Sequence, residues 1–416
     1  MDAGTSSERP NQRTLTTRCC IVGGGPAGMM LGYLLGRAGV DTIVLEKHAD
    51  FFRDFRGDTV HPSTLQVMDE LGLIDAFLKL PHQQLQKMDG QFGGASIRIA
   101  DLSRLNVKYP FIAFMPQWDF LNFLRESGKR FPSLKVMMNA NATDLIWFGD
   151  AVAGVKANTP EGPIEIRADL TVACDGRHSI VREKTRLEVE ELGSPMDVLW
   201  FRAGKRGDES ESVFARVETG KMMVTFDRGD YWQCAYVIAK NQYDAVKARG
   251  LDALRDEIVR LAPILKSGIL DVKTWDDVKL LTVAINRLKR WTRPGLLCIG
   301  DAAHAMSPVG GVGVNLAVQD AVATANLLAA RLASGCPSES ELDAVRRRRE
   351  FPVRMTQAMQ VVVQNNIISV ALKPGDAPLK PPLAARVINA VPWLQGVTAR
   401  FIGLGVRPEH VRSPQT

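Results

Sequence analysis

The stretch from Arg18 to Lys47, RCCIVGGGPAGMMLGYLLGRAGVDTIVLEK, decides the fold of this chain. Arg18–Val22 is a short apolar run that predicts a buried strand, and Ala27–Ala38 carries apolar residues at helical spacing. Val40–Glu46 predicts a second strand. A strand–helix–strand unit of this length is typical of the parallel crossover in an α/β fold.

A glycine pattern, GxGxxG, joins the first strand to the helix through Gly23, Gly25 and Gly28. Glycine here permits a tight turn and close approach of backbone N–H groups to a pyrophosphate, and the helix N-terminus adds a favourable dipole. Glu46 ends the second strand, where a carboxylate accepts hydrogen bonds from a ribose diol and repels a 2′-phosphate. The unit therefore predicts a tightly bound FAD or NAD and not NADP, with an ordinary glycine turn as the alternative. The cofactor-binding residues predicted in this unit are Gly23, Gly25, Pro26, Ala27, Gly28, Glu46 and Lys47.

Two further motifs follow apolar runs later in the chain. Asp175-Gly176 follows a predicted buried strand, and by itself it is typical of a polar turn that caps a helix. Leu296–Gly300 predicts another strand, and Asp301 directly after it is placed to bind a ribityl or ribose hydroxyl. Pro308–Leu316 is rich in glycine and opens a long helical run, whose first N–H groups can face the negative charge of a reduced flavin.

Three motifs in this order, between Arg18 and Leu332, resemble the FAD-dependent aromatic hydroxylases of the p-hydroxybenzoate hydroxylase type, the group A flavoprotein monooxygenases. The resemblance implies an α/β fold. A Rossmann-type, glutathione-reductase-like FAD-binding domain would carry an inserted antiparallel β-sheet substrate domain and C-terminal helices. It also implies that NADH or NADPH docks transiently and reduces FAD. O2 then gives a flavin hydroperoxide that hydroxylates an aromatic substrate. The absence of a second GxGxxG unit for a nicotinamide agrees with transient docking.

The same resemblance assigns roles to residues outside the first unit. Pro308 matches a proline beside the flavin where the oxygen chemistry occurs, and it is the catalytic candidate. Asp175 lies in a motif associated with both FAD and nicotinamide binding, and Asp301 matches a carboxylate on the ribityl side of FAD. The cofactor-binding residues implied in this way are Arg56, Gln117, Asp175, Gly300, Asp301, Gly313, Val314, Asn315 and Leu316.

We expect three regions. The FAD-binding domain would be discontinuous, over residues 17–86, 112–186 and 284–334, and the substrate domain would take 87–111 and 187–283. Residues 335–416 would form a C-terminal helical region. Within the substrate domain, 198–239 alternates strands with glycine-containing turns, which predicts an antiparallel sheet.

Two strands of that sheet supply candidate substrate contacts. Met222–Phe226 and Trp232–Ile238 flank a turn, and we expect their alternate side chains to share one face. Plain core packing is an equally supported interpretation. The substrate residues predicted in this way are Val224, Phe226, Trp232, Cys234 and Tyr236.

The predicted pocket suggests an apolar substrate. Arg228 lies in the turn between the two strands, where we expect it to meet water. A substrate carboxylate in a dry site without a charge partner is costly, so we expect a fairly large, largely apolar aromatic compound. The alternative is that Arg228 or Arg202 points inward.

Composition limits the other classes of function. The net charge is +6, and no basic stripe is interleaved with aromatic residues, so nucleic acid is not an expected partner. The six cysteines form no CxxC pair, which predicts no metal site and suits a cytoplasmic protein. We expect no membrane span, although peripheral membrane contact stays open, and a monomer or homodimer. A related FAD-dependent oxidoreductase (dehydrogenase, reductase or halogenase) and a non-catalytic flavin-binding protein are the alternatives.

Other polar residues carry weaker expectations. His304 and His61 are interpreted as structural histidines near the flavin, with a general base at His304 and a place in the pocket for His61 as alternatives. Arg346–Arg349 is interpreted as a solvated helix face, with docking of a nicotinamide phosphate or an anionic lipid as the alternative.

Overall fold

The structure is a computed structural model that describes residues 13–52, 59–206, 213–373, 375 and 379–416. Arg56, one of the predicted cofactor contacts, lies outside the described residues.

The strands are short except in the two main sheets. In chain order they are β1 (Arg13–Val22), β2 (Thr42–Leu45), β3 (Thr59–Val60), β4 (Gln83–Leu85), β5 (Lys87–Phe92), β6 (Ala95–Asp101), β7 (Ile112–Phe114), β8 (Leu134–Met137), β9 (Asn141–Phe148), β10 (Ala151–Thr159), β11 (Gly162–Ala173), β12 (Val189–Glu191), β13 (Met196–Gly204), β14 (Val213–Glu218), β15 (Lys221–Asp227), β16 (Tyr231–Ala239), β17 (Lys279–Leu281), β18 (Asn286–Leu288), β19 (Thr292–Arg293), β20 (Leu296–Cys298) and β21 (His304–Ala305).

The longest helices belong to the last quarter of the chain. In chain order the helices are α1 (Pro26–Arg37), α2 (Pro62–Glu70), α3 (Ile74–Phe77), α4 (Gln117–Gly128), α5 (Ile180–Thr185), α6 (Tyr243–Ala248), α7 (Leu251–Leu261), α8 (Gly313–Ser334), α9 (Glu339–Val363), α10 (Ser369–Ala371), α11 (Leu383–Ala390) and α12 (Pro392–Gly403). A π-helical turn at Gln364–Ile368 joins α9 to α10.

The first sheet places the predicted motifs at one edge. Its order is β19-β20-β11-β1-β2-β8, and β1 runs parallel to both β2 and β11. β11 is in turn parallel to β20. Since parallel strands end at the same edge of a sheet, the loops after β1, β11 and β20 converge there. The predicted strand–helix–strand unit is confirmed as β1, α1 and β2.

Helix α8 covers this sheet together with α1, against which it packs. Val309–Ser334 is long and apolar enough to cross a membrane, which the sequence analysis did not foresee, but 83% of its most apolar window is buried inside the protein. Its composition is therefore explained by the core that it fills.

The second sheet has the order β17-β13-β16-β15-β14-β5-β6 and is antiparallel except between β14 and β5. One face carries α6 and α7. Leu254 and Ile258 of α7 form an apolar cluster with Leu199 and Phe201 of β13. The opposite face turns toward the loop between β21 and α8, since Val309 belongs to the apolar cluster on that side. This geometry places the first sheet's cofactor loops and the second sheet's side chains around one region.

The C-terminal helices complete the fold. α9 begins with a capping box, in which Ser338 and Glu341 satisfy each other's backbone N–H groups. α12 packs against β6, and the segment after it returns to the end of α1, where Thr416 N donates to Arg37 O at 3.1 Å. The α/β fold with an antiparallel sheet and C-terminal helices is as predicted.

Candidate active site

The turn after β1 requires glycine at two of its three motif positions. Gly23 has a φ of +104°, and a Cβ there would lie 2.4 Å from Cys174 O. A Cβ at Gly28 would lie 1.9 Å from Gly23 O, so α1 could not approach the turn. A Cβ at Gly25 would meet no atom within 4 Å in the described chain. Gly25 therefore faces open space at the N-terminus of α1, where a pyrophosphate would lie.

Glu46 ends beside this turn and is held in place by backbone donors. Its Oε2 accepts from Gly24 N and its Oε1 from His48 N, both at 3.1 Å. The residue is buried, whereas Lys47 directly after it is exposed. A fixed carboxylate at this point suits a ribose diol.

The second and third motifs meet through a residue that the sequence analysis did not single out. Arg177 donates from Nε to Asp301 Oδ2 at 3.1 Å and from Nη2 to Met306 O at 3.4 Å. Gly300 lies against α1, since a Cβ there would be 3.1 Å from Ala27 Cβ. The motifs around Ala27, Arg177 and Asp301 thus form one site. The position of Arg177, two residues after Asp175, was the available signal.

Asp175 is enclosed at the base of this site. Its Oδ2 accepts from Val181 N at 3.4 Å, while Oδ1 is buried and has no partner in the described chain. Burial raises the pKa of Asp175, and hydrogen bonds from Ser179 and nearby backbone oppose that rise. A buried carboxylate with an unsatisfied oxygen is typical of a position that meets a ligand.

The flavin loop, defined here as Pro308–Leu316, turns through two left-handed glycines. Gly310 and Gly311 have φ values of +79° and +65°. A Cβ at Gly311 would lie 2.6 Å from Thr59 Oγ1, which donates to Gly311 O at 2.9 Å. The last residues of the loop, from Gly313 on, form the first turn of α8, so the first N–H groups of that helix face the glycine turn.

Three glutamines of α9 and the following turn hold the start of the flavin loop. Gln360 Nε2 donates to Ser307 O and to Val309 O, both at 3.0 Å, and its Oε1 accepts from Ser307 N. Gln357 and Gln364 make similar bonds to Ala305 O and Ser307 Oγ. Sequence reasoning missed these residues, although polar residues at i, i+3 and i+7 among apolar ones were a signal.

A buried ionic cluster lies under Gly300. Asp320 accepts from Gly300 N at 3.0 Å, from His304 Nε2 at 2.5 Å and from Arg349 Nε at 2.9 Å. Burial alone would raise the pKa of Asp320, but His304 and Arg349 hold it below its ordinary value. The cluster positions the turn that carries Asp301. His304 is thus tied to a structural carboxylate.

The burial of Arg349 differs from the expectation for its helix face. The Arg346–Arg349 run was interpreted as a solvated helix face, yet Arg349 is 1% exposed and also lies 3.6 Å from Glu409. Arg347 is exposed and pairs with Asp343, as a solvated helix face predicts. The four arginines point in different directions around one turn of α9. Arg349 points inward because this side of α9 packs against α8.

Asn315 lies in the first turn of α8, and its amide is turned toward α2. Its Oδ1 accepts from His61 N at 3.0 Å and from Thr64 Oγ1 at 2.7 Å. Its Nδ2 is buried without a partner in the described residues. Val314 and Leu316 on either side are buried.

The residues present fit FAD. Gly25 leaves open space at a helix N-terminus, and Glu46 stands beside it. Unsatisfied polar atoms of Asp175, Arg177 and Asn315 surround the same region in the described chain. A dinucleotide supplies phosphates, hydroxyls and a polar ring edge for such groups. Gln117 is the first residue of α4, which packs against α1, and its contact with FAD stays a prediction.

The register of the second sheet overturns part of the predicted pocket. Val224 pairs with Ala235, and Thr225 pairs with Cys234. Directly paired residues of an antiparallel sheet share a face, so Val224 and Phe226 lie on the face opposite to Cys234. The residues wrongly placed with Val224 are Trp232, Cys234 and Tyr236, all buried in the cluster beneath α6 and α7.

The side of the sheet that faces the flavin loop has a different membership. We define the pocket face as Trp200, Val224, Phe226, Gln233 and Ala235, which the pairings place side by side. The rings of Trp200 and Phe226 are stacked with centroids 6.1 Å apart. Most of this face is therefore aromatic or apolar.

Arg228 corrects the expectation of an uncharged pocket. Its Nε donates to Gln233 Oε1 at 3.1 Å, and its Cζ lies 5.7 Å from the ring centroid of Phe114. Both terminal nitrogens are buried. The side chain folds inward because a guanidinium can stack on an aromatic ring while its stem covers apolar surface.

A protein-family model described as an FAD binding domain matches residues 16–359. The chain belongs to this family. The match covers all three motifs and the intervening second sheet.

Several relatives are named as monooxygenases of aromatic compounds. The chain is 28% identical to a 6-methylpretetramide 4-monooxygenase of Streptomyces rimosus, over 98% of this chain and 97% of that protein. It is 26% identical to a para-nitrophenol 4-monooxygenase of Pseudomonas sp. strain WBC-3, over 80% and 82%. The solved structure of an anhydrotetracycline hydroxylase from Streptomyces rimosus has the same fold, with a TM-score of 0.72, 24% identity, and coverage of 95% of this chain and 77% of that one.

Family membership settles the class of reaction. The chain is an FAD-dependent monooxygenase of the group A type, an oxidoreductase for which the family implies the use of NAD(P)H and O2. The cofactor predicted from Gly23, Gly25, Gly28 and Glu46 is confirmed as FAD.

Proposed function

We propose that this flavoprotein hydroxylates an aromatic compound whose rings lie between the pocket face and the flavin loop. The observation that carries the proposal is one apolar cluster, to which Val309 of the loop and Val224 and Ala235 of the sheet all belong. A substrate held there would lie against both the residue after Pro308 and the aromatic pair Trp200 and Phe226.

When bound, FAD supplies the transfer of electrons from NAD(P)H and the reaction with O2. The chain binds and orients it. Glu46 and Asp301 would hold sugar and ribityl hydroxyls, and the open turn at Gly25 would take the pyrophosphate. The N-terminus of α8 would stabilise negative charge that develops at the flavin loop. The apolar pocket face would exclude water from the reacting centre.

The substrate carries a polar edge in this proposal. Gln233 of the pocket face accepts a hydrogen bond from Arg228, which lies beside Phe114. A phenolate or another oxygen-bearing edge would face this pair, while the ring body would cover Trp200 and Phe226. The relatives' names, 6-methylpretetramide and para-nitrophenol, support an oxygen-bearing aromatic compound and leave its size open.

Product analysis tests the proposal. The FAD-loaded protein is incubated with NADH or NADPH, 18O2 and a panel of phenols from one ring to four. We expect one product that gains a single labelled oxygen atom. NAD(P)H oxidation without labelled product for any compound, even though a ligand stimulates flavin reduction, would favour the alternative of a related oxidoreductase that does not hydroxylate.

We further propose a cytoplasmic monomer or homodimer. Cys19, Cys20, Cys174, Cys234 and Cys298 are buried free thiols, which suits a reducing compartment. A peripheral membrane contact would use the exposed apolar side chains of α11 and α12, among them Leu383 and Trp393. Light scattering checks the oligomeric state. Sedimentation with anionic vesicles checks the membrane contact.

A further inference from the structure

His61 is a fully buried histidine between β3 and α2, and the roles assigned above do not use it. The residue is 0% exposed. Its Nδ1 lies 2.8 Å from Ile402 O, in α12. A carbonyl oxygen only accepts hydrogen bonds, so Nδ1 must carry the proton of that bond.

The other ring nitrogen is therefore an acceptor. Burial lowers the pKa of His61 to about 4, so the ring is neutral at pH 7. A neutral ring with its proton on Nδ1 has a lone pair on Nε2. This Nε2 is buried and has no hydrogen-bond partner in the described residues. An unsatisfied buried acceptor is costly and uncommon, which indicates that a ligand satisfies it.

The acceptor lies against the flavin loop. A methyl group added at Gly311 would be 3.4 Å from His61 Nε2. The backbone N–H of His61 donates to Asn315 Oδ1 at 3.0 Å, at the start of α8. The carbonyl groups of Val309 and Gly311 in this loop already accept hydrogen bonds from Gln360 and Thr59. The lone pair of Nε2 therefore stands beside two kinds of donor, the first N–H groups of α8 and Asn315 Nδ2, which has no partner in the described residues.

We propose that His61 Nε2 accepts a hydrogen bond from the imide N–H of the FAD isoalloxazine ring. The inference rests on the FAD site proposed above. The polar edge of that ring presents carbonyl, N–H and carbonyl in sequence. Backbone donors of α8 and Asn315 Nδ2 match the carbonyls, whereas only an acceptor matches the N–H. His61 supplies that acceptor, so each of the three polar groups on this edge of the ring has a matching partner in the protein.

Two substitutions separate this role from the bond to Ile402. His61→Gln places a carbonyl oxygen near the position of Nε2 but lacks a donor at the position of Nδ1. His61→Asn places an amide N–H near Nδ1 and leaves the Nε2 position without an acceptor. FAD affinity of the apoprotein is measured by quenching of flavin fluorescence for the wild type and both variants. Thermal unfolding of each FAD-loaded protein is measured in parallel.

We expect His61→Gln to bind FAD within about threefold of the wild type and His61→Asn to bind roughly tenfold more weakly, the loss of one neutral hydrogen bond. The reverse order would overturn the inference, since His61 would then act only as a tether to Ile402. Equal affinity in all three proteins would overturn it as well.

A cofactor analogue covers the case in which both variants bind poorly. In 3-methyl-FAD a methyl group replaces the imide proton. The wild type should prefer FAD over this analogue, and His61→Asn should lose most of that preference. An undiminished preference in His61→Asn would refute the contact. A wild-type protein that binds no FAD would overturn the proposed site itself, whereas normal binding with no difference among variants would overturn only the contact.

Discussion

Acidification should destabilise this protein through His61, and the size of the effect follows from its burial. The pKa of His61 is about 4 in the folded protein, whereas the ordinary value is 6.5. Between these values the unfolded chain binds a proton that the folded protein does not. The stabilisation is therefore fully present above pH 6.5 and is lost as the pH falls toward 4. The two pKa values differ by about 2.5, which corresponds to about 3 kcal/mol in total.

The measurement is denaturant unfolding at several pH values. From pH 7.5 to 5.5 the contribution of His61 should fall by about 1.3 kcal/mol by the same linkage. Other groups, including Asp320, also respond to acid, so the informative quantity is the difference between proteins. His61→Gln should remove about 1.3 kcal/mol of pH dependence in this interval. His178→Gln makes the same chemical change at an exposed position and serves as the matched control.

Equal pH dependence in the wild type and His61→Gln would refute the reasoning. It would mean that His61 is protonated at an ordinary pH in the folded protein. Nε2 would then become a donor as the pH falls below about 6.5, and the contact proposed with the flavin imide would be confined to higher pH.

Three substitutions, two of them with a matched control, test the rest of the site. Asp301→Ala should weaken FAD binding roughly ten- to a hundredfold, because a charged hydrogen-bond partner is lost, and a fluorescence titration with wild-type affinity would contradict its placement. Arg349→Met should lower the free energy of unfolding by about 3–5 kcal/mol, since it leaves buried carboxylates without their cation, whereas Arg347→Met on the exposed side should cost at most about 1 kcal/mol by chemical denaturation. Phe226→Ala should raise KM for the aromatic substrate about three- to tenfold through lost ring contacts, and Met223→Ala, on the opposite face, should destabilise the protein with KM unchanged; similar KM values in both variants would remove Phe226 from the pocket.

The elements around the cofactor could be predicted because their signals are local. Apolar runs next to Gly23 and Asp301 are short and end in glycine or a carboxylate, so strand ends and helix starts are visible in the sequence. The parallel arrangement then brings distant strand ends to one edge without further information. That is why Asp175 and Asp301 were found although 126 positions separate them in the chain.

The pocket was harder, since a side chain's face depends on strand pairing. Val224 and Cys234 each alternate correctly within their own strands, but the turn between the strands sets the register. A register different by one residue exchanges the two faces. The expected position of Arg228 was wrong for a related reason: its partners Phe114 and Gln233 belong to β7 and β16, strands of two different sheets that only the tertiary fold brings together.

The sequence by itself determined the fold class, the cofactor and the loops that hold it, because these depend on residues close together in the chain. Only the tertiary structure decided which face of the second sheet meets the flavin loop and which arginine of α9 is buried. It also decided that His61 forms a hydrogen bond with Ile402 O. His61 and Ile402 are 341 residues apart. The protonation state of a histidine depends on its surroundings in space, so the acceptor on His61 exists only because α12 packs over it in the folded protein.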